Sequence, residues 1–246
     1  MTTQNGHHKR NDEAFALRVQ DEAEFARWQS EKIDLIAQTL GSLTPSGTLA
    51  DIGCFTGYAT ERYRAAGFQS AVGFDMNDTT LERTKARGVE ARKWHAGVEP
   101  CPAEDGEFDA TVAADIIEHI VDTDYFLSEL KRITKAGGHI IITTPNLAFW
   151  ISRLRLLRGK TPWSYPGASP TVSTDVHIDL NHIRLSTRRE WQALFESQGL
   201  EVLEVKGWSI LHAMGNSPII KSLRFVDRLL KSPELAFGLM FLLKRI

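Results

Sequence analysis

The stretch FDATVAADIIEHI (108–120) ends an apolar run with three groups that bind protons or metals, Asp115, Glu118 and His119. A core strand ends on such groups for one of two reasons. They are solvated loop residues, or the strand delivers them to a site. A histidine delivered there can take a proton from an acceptor as a general base. Carboxylates beside a histidine can instead hold a cation that lowers the pKa of a hydroxyl. A histidine that merely caps a helix needs neither chemistry. Further along, NHIRLSTRREW (181–191) supplies His182. It closes a segment, 159–186, that is rich in proline, glycine and serine and carries Trp163, Tyr165, His177 and Asp179. So long an irregular stretch is expected to be a functional insertion, and a substrate lid is the expectation here. His7 and His8 read as solvated tail.

A second constellation lies upstream. LADIGCFTGYAT (49–60) places a glycine loop between a strand and a helix, where backbone approaches a ligand closely and helix N–H groups face an anion. No lysine follows the glycines, so the loop is not a P-loop, and Phe55 breaks a G-x-G-x-x-G spacing. Asp51 just before the loop suits a cation better than a pyrophosphate. A ligand with both an ammonium and a carboxylate satisfies both signs. Asp75 ends the next strand, in GFDMN, where a carboxylate accepts the hydroxyls of a ribose. An amino-acid head joined to a ribonucleoside describes S-adenosylmethionine.

The elements that position these groups alternate. Strands are expected at 48–53, 70–75, 89–95, 108–115 and 138–144, and helices at 56–67, 78–88 (capped by Asp78) and 123–134. This alternation predicts an α/β fold, a Rossmann-like doubly wound sheet with helices on both faces, mostly parallel with an antiparallel last strand. The candidate residues all fall at strand carboxyl ends, where such sheets bind ligands. A helix capped by Ser186 or Thr187 (187–199), a strand (200–208) and a helix over PIIKSLRFVDRLL follow. The apolar LAFGLMFLL (235–243) is far too short to span a membrane. It reads as a buried strand or helix, with peripheral lipid contact as the other reading. Before the sheet, Phe15, Leu17, Phe25, Trp28, Ile33, Ile36 and Leu40 recur at helical spacing. The expected organisation is an N-terminal helical cap (1–45) on one ligand-binding domain (46–246) with the lid at about 159–186.

Composition bounds the function. The 246 residues are 42% hydrophobic and 24% charged, ordinary for a globular chain. A formal net charge of −2 gives no global basic field for nucleic acid, and RLRLLRGK (153–160) reads as a solvated helix face. Two cysteines, Cys54 and Cys101, make no disulfide framework, and the start shows no signal-peptide pattern, so the cytoplasm is the expected compartment.

These motifs together resemble a class I S-adenosylmethionine-dependent methyltransferase of the small-molecule type. DIGCFTG resembles that family's D-x-G-x-G-x-G loop, GFD its ribose acid, EFDATVAADIIEHI its fourth strand and LKRITKAGGHIIITTPN its fifth helix and strand. The resemblance implies that Asp51, Gly53, Cys54, Phe55 and Gly57 surround the methionine end, that Asp75 holds the ribose and that Met76 lies against the adenine. It places the backbone at Ala113 and Ala114 beside the methionine portion. Phe55 departs from the family's middle glycine. The acid that often meets the adenine amine is missing too, which leaves backbone at His95 as the candidate there.

D-I-I-E-H further resembles the E-x-x-E-H metal motif of small-RNA 2′-O-methyltransferases and ubiquinone-pathway O-methyltransferases, in which a later histidine completes the set. That resemblance implies Asp115, Glu118, His119 and His182 as ligands of Mg²⁺ or another divalent metal, with Asp115 standing where the motif has glutamate. Without a metal, His119 is the candidate base, and His182 a catalytic or substrate contact. The expected reaction is O-methylation of a small-molecule hydroxyl on a saccharide, phenol or biosynthetic intermediate. Phe25, Trp28 and the lid are expected to build the acceptor pocket. An RNA ribose 2′-O-methyltransferase and a non-catalytic accessory protein are the alternatives.

Overall fold

The computed structural model describes residues 22–43, 46–165, 182–214, 217–230 and 232–246. Phe15, Leu17, His7, His8, His177 and Asp179, and the side chain of Phe25, lie outside the described residues, as does most of the expected lid. A seven-stranded sheet runs in the order β3-β2-β1-β4-β5-β7-β6. The strands are β1 (Thr48–Ile52), β2 (Ser70–Asp75), β3 (Glu90–Lys93), β4 (Phe108–Ala114), β5 (Thr134–Pro145), β6 (Leu200–Trp208) and β7 (Gly238–Arg245). Neighbouring strands from β3 to β5 pair in parallel, and β7 runs antiparallel to both β5 and β6.

Side-chain alternation splits the core between the two faces. Helix α1 (Glu22–Ser42) lays Ile33, Ile36 and Leu40 against Leu49, Val112 and Met240, together with Tyr63 of α2 (Tyr58–Arg64). On the other face α4 (Thr123–Ile133) and α6 (Arg188–Ser197) bury Phe126, Leu130, Trp191 and Phe195 against Ile52, Phe74 and Phe241. Ile140, Ile141 and Ile142 of β5 are all fully buried, as expected of a central strand covered on both sides.

The expected elements shift at their ends, each for a local reason. Helix α2 begins at Tyr58 rather than Thr56, because Gly57 takes a left-handed conformation (φ +77°) as its N-cap. Helix α3 (Asp78–Ala86) is capped by Asn77 and not Asp78, since Asn77 Oδ1 accepts from the Thr79 and Thr80 amides. Strand β5 starts at the end of α4, four residues before the expected Gly138. The apolar carboxyl terminus is strand β7, inserted between β5 and β6, with Leu239, Met240, Phe241 and Leu243 fully buried. Its side chains are spent on the core, and it offers no apolar face to lipid.

Two further helices crown the carboxyl edge of the sheet. Helix α5 (Trp150–Leu157) follows β5, and α7 (Pro218–Leu229) joins β6 to β7. They meet in a third apolar cluster of Phe149, Trp150, Trp208, Leu211 and Phe237, onto which Leu223 and Leu230 pack.

Candidate functional site

The parallel strands bring their carboxyl ends to one edge. A small recess of about 60 Å³ opens there, lined by Lys32, Asp51, Gly53, Phe55, Tyr63 and Ala114 among others. The loop after β1 is folded by short backbone bonds, from Gly53 N–H to Phe74 O (2.7 Å) and from Gly57 N–H to Cys54 O (2.9 Å). Gly53 is needed twice over. Its φ is +73°, and a Cβ there would lie 2.2 Å from Ile116 Cδ1. Cys54 also lines the recess, but its thiol packs against Gly73 and Thr84, and burial pushes it far above the usual thiol range.

Asp51 is buried and accepts a 2.5 Å hydrogen bond from Thr60 Oγ1. Burial pushes its carboxyl up to about 7, against the pull of the Thr60 bond. Asp75 accepts from Phe55 N–H (3.0 Å) and Asn77 N–H (2.9 Å), and burial raises it as well. Asp51 lines the recess, where a ligand ammonium would favour its ionised form, whereas Asp75 ends β2 just outside the lining residues. Met76, 58% exposed, and His95, also exposed, stand at the open ends of β2 and β3 and do not line the recess. Gly57 serves the loop as the α2 cap.

Lys32 was not expected. It projects from α1 into the recess at 6% exposure, sits 5.5 Å over the Trp208 ring, and pairs with Asp115 (Nζ–Oδ2 2.5 Å). Asp115 itself takes a left-handed backbone (φ +55°), and Thr143 Oγ1 donates to its other oxygen (2.7 Å). Its carboxylate is thereby turned to Lys32 and away from the rest of the D-x-x-E-H motif.

Beyond Asp115, Ile117–His119 form a 3₁₀ turn. Glu118 in this turn is fully buried, and neither carboxylate oxygen has a hydrogen-bond partner among the described residues. Burial, with the nearby Asp115 charge, pushes its carboxyl well above the usual range. The Glu118 carbonyl accepts from the Ile183 (3.0 Å) and Arg184 (3.1 Å) amides, which pins the far end of the inserted segment to the turn. This brings His182 Nε2 within 4.0 Å of Glu118 Oε1. His182 Nδ1 lies 2.9 Å from the Ser164 carbonyl, which can only accept, so in the neutral ring Nδ1 holds the proton and Nε2 presents its lone pair to Glu118. The His119 and His182 rings are 4.9 Å apart, and ligand-type atoms of Glu118, His119 and His182 lie within 4.8 Å of one another. Three of the four sequence candidates thus come together, and Asp115 does not join them.

The sheet order, with β7 reversed and an acid–glycine loop at the end of β1, defines the Rossmann-like methyltransferase fold. The chain belongs to the methyltransferase domain family, whose model matches residues 23–205, and it is of the class I S-adenosylmethionine-dependent type. A Mycolicibacterium smegmatis protein named as a probable S-adenosylmethionine-dependent methyltransferase is 24% identical over 74% of this chain and 62% of its own length. A ubiquinone biosynthesis O-methyltransferase of Alkalilimnicola ehrlichii is 28% identical over 47% of this chain and 48% of its own. The chain thus spans about half to three-fifths of the length of these curated relatives. A solved S-adenosylmethionine-dependent methyltransferase from Thermotoga maritima superposes with a TM-score of 0.62 at 17% identity, covering 93% of this chain and 96% of that one, a likeness of fold.

Proposed function

We propose that this chain transfers a methyl group from S-adenosylmethionine to a hydroxyl oxygen of a small molecule, with a divalent cation held by Glu118, His119 and His182. The observation that carries the cation is Glu118. A fully buried carboxyl with no partner in hydrogen-bond range among the described residues stands either as the neutral acid or beside a cation, and two imidazoles whose ligand atoms lie within 4.8 Å supply the further ligands a cation needs. With Asp115 given to Lys32, the set is one carboxylate and two imidazoles. That chemistry suits Mn²⁺ or Zn²⁺ better than Mg²⁺. Such an ion supplies a lowered pKa at the acceptor hydroxyl.

The chain's own residues do the rest. Asp51 receives the cofactor's ammonium and Lys32 its carboxylate, while Asp75 accepts from the ribose hydroxyls. The backbone at Ala114 flanks the methionine portion, and the glycine loop lets the ligand approach. His119, exposed after β4, is one of the two imidazoles offered to the ion, and it takes the acceptor's proton only where no ion is bound. Met76 and backbone at His95 are left to border the adenine at the open edge. Helix α1 and the 159–186 segment wall the acceptor pocket over the 46–246 domain. The O-methyltransferase name of one relative and the −2 net charge support a small molecule over RNA. No described helix is long and apolar enough to cross a membrane, and Cys54 and Cys101 are both free, which suits a reducing cytoplasm.

The test is calorimetry of S-adenosylmethionine on EDTA-treated protein, followed by turnover on diols, phenols and sugars with Mn²⁺, Zn²⁺ or Mg²⁺. Turnover that needs the ion and is lost in Glu118→Ala and His182→Ala is expected. Metal-independent turnover would remove the cation and leave His119 as the base, and absence of cofactor binding would overturn the enzyme reading.

A further inference from the structure

The two excursions of the chain above the carboxyl edge share a geometry and a chemistry. The first leaves β5 and returns to the same edge, where Asn146 bridges Ser186. The second leaves β6 and re-enters at β7, and Trp208 and Gly238 are paired at that edge. The described residues within 146–186 and 209–237 hold eight Lys and Arg against two Asp and Glu, in a chain whose net charge is −2. The acids are concentrated elsewhere, so the crown carries charge of the opposite sign to the whole.

The same crown carries exposed apolar side chains. Trp150 of α5 packs on α7, its Nε1 donating to Asp227 Oδ1 (3.1 Å). Leu154 and Leu157 continue the Trp150 row at i+4 and i+7, yet they are 41% and 84% exposed. On α7, Phe225 is 66% and Val226 37% exposed. Arg158, Lys160 and Lys221 are exposed on the same two helices and their flanks. Of the twelve large hydrophobic residues exposed among the described residues, eight follow the carboxyl ends of the parallel strands β2 to β5 and two more, Phe225 and Val226, follow that of β6. Leucine and phenylalanine standing out between cations, on short amphipathic helices, are what an interfacial helix presents to a bilayer.

We propose that the α5–α7 crown docks on the surface of an anionic phospholipid bilayer, so that the mouth of the cofactor recess faces the lipid. Leu154, Leu157 and Phe225 enter the headgroup–acyl boundary. Arg158, Lys160 and Lys221 meet the phosphates, each strengthening binding about fivefold near an anionic surface. The docking face is separate from the residues that hold cofactor or cation, so it stands or falls independently of the proposed reaction.

The experiment is flotation of the full chain with vesicles of phosphatidylglycerol and phosphatidylcholine, against phosphatidylcholine alone. Binding to the anionic vesicles, weakened by salt and reduced at least tenfold in Leu157→Glu/Phe225→Glu, is expected. Arg158→Glu/Lys160→Glu should weaken it too, while S-adenosylmethionine binding by calorimetry stays unchanged in both variants. No flotation at low salt, or flotation indifferent to both variants, overturns the proposal. So does a concentration-dependent dimer in sedimentation that the apolar variant abolishes, which would assign the face to a second copy.

Discussion

Phe55 holds a left-handed backbone (φ +52°) in the loop after β1, between Gly53 and Gly57, which do the same. That conformation costs an L residue roughly 1–2 kcal/mol. The loop is held there from both sides, the Phe55 amide by Asp75 and its carbonyl by Thr84 Oγ1 (3.1 Å). Phe55→Gly relieves the strain, whereas Phe55→Ala keeps it and also loses the ring. The glycine variant should therefore be the more stable of the two by about 1 kcal/mol, the reverse of the usual order. Urea midpoints at equal slope decide it, and an alanine variant as stable as the glycine one would mean the loop is unstrained. The sequence marks Phe55 as a departure from the glycine pattern, but its torsion is set by bonds to residues 20 and 29 positions away. Lys32 shows the same limit. A lysine in an amphipathic helix reads as solvent-facing, and only Asp115, 83 residues on, with Trp208, makes it buried. One signal was present: Lys32 stands at i+4 from Trp28 and i−4 from Ile36, on the apolar stripe.

Among the elements, β7 is where local pattern and tertiary role part. LAFGLMFLL has no alternation, because both faces of the strand are buried, and an unbroken apolar run fits a strand, a helix or a lipid contact equally. Its place beside β5 is fixed by pairing from Pro145–Gly238 to His139–Lys244, across about a hundred residues of chain that no local window spans. The parallel half, by contrast, was legible, since β1, β2, β4 and β5 are each followed by a helix and only β3 runs on to the next strand without one. Gly238 starts β7 under the Trp208 indole, and a Cβ there would lie 2.1 Å from a ring atom. The indole cannot retreat freely, because it packs edge-on against Phe237 at 5.1 Å and carries Lys32 on its face. Gly238→Ala should cost about 1–3 kcal/mol, the range for overpacking a full core, and lower Tm by several degrees. The displaced Trp208 would also disturb the Lys32 seat, so cofactor affinity should fall with stability. An unchanged Tm would show that the edge has room the geometry denies.

At the scale of the whole molecule, the buried acids set how stability varies with pH. Asp51, Asp75 and Glu118 are all raised above their ordinary values by burial, Asp51 to about 7. A carboxyl raised on folding binds its proton more tightly in the folded state, so stability falls as pH climbs from the ordinary carboxyl value through the folded one. For Asp51 that loss accumulates from about 4 and is complete above about 7. Glu107, Asp109 and Glu129 act the other way. Ion pairs with Arg92, Lys135 and Arg132 lower them, and their contribution vanishes as pH falls through the folded values. These three, Glu129 buried and Glu107 and Asp109 partly so, act below the ordinary carboxyl value, so the raised acids set the slope above it. The cofactor-free protein should be most stable below neutral pH. S-adenosylhomocysteine carries the same ammonium and ribose hydroxyls, and by favouring the ionised forms of Asp51 and Asp75 it should move the Tm maximum toward neutral. Its affinity should rise as pH climbs through about 7, where Asp51 gives up its proton. Melting curves from pH 5 to 9, with and without this ligand, test the coupling. Parallel curves would show that neither acid meets the ligand, whereas Asp51→Asn should flatten the cofactor-free slope and remove the pH dependence of binding below neutral together.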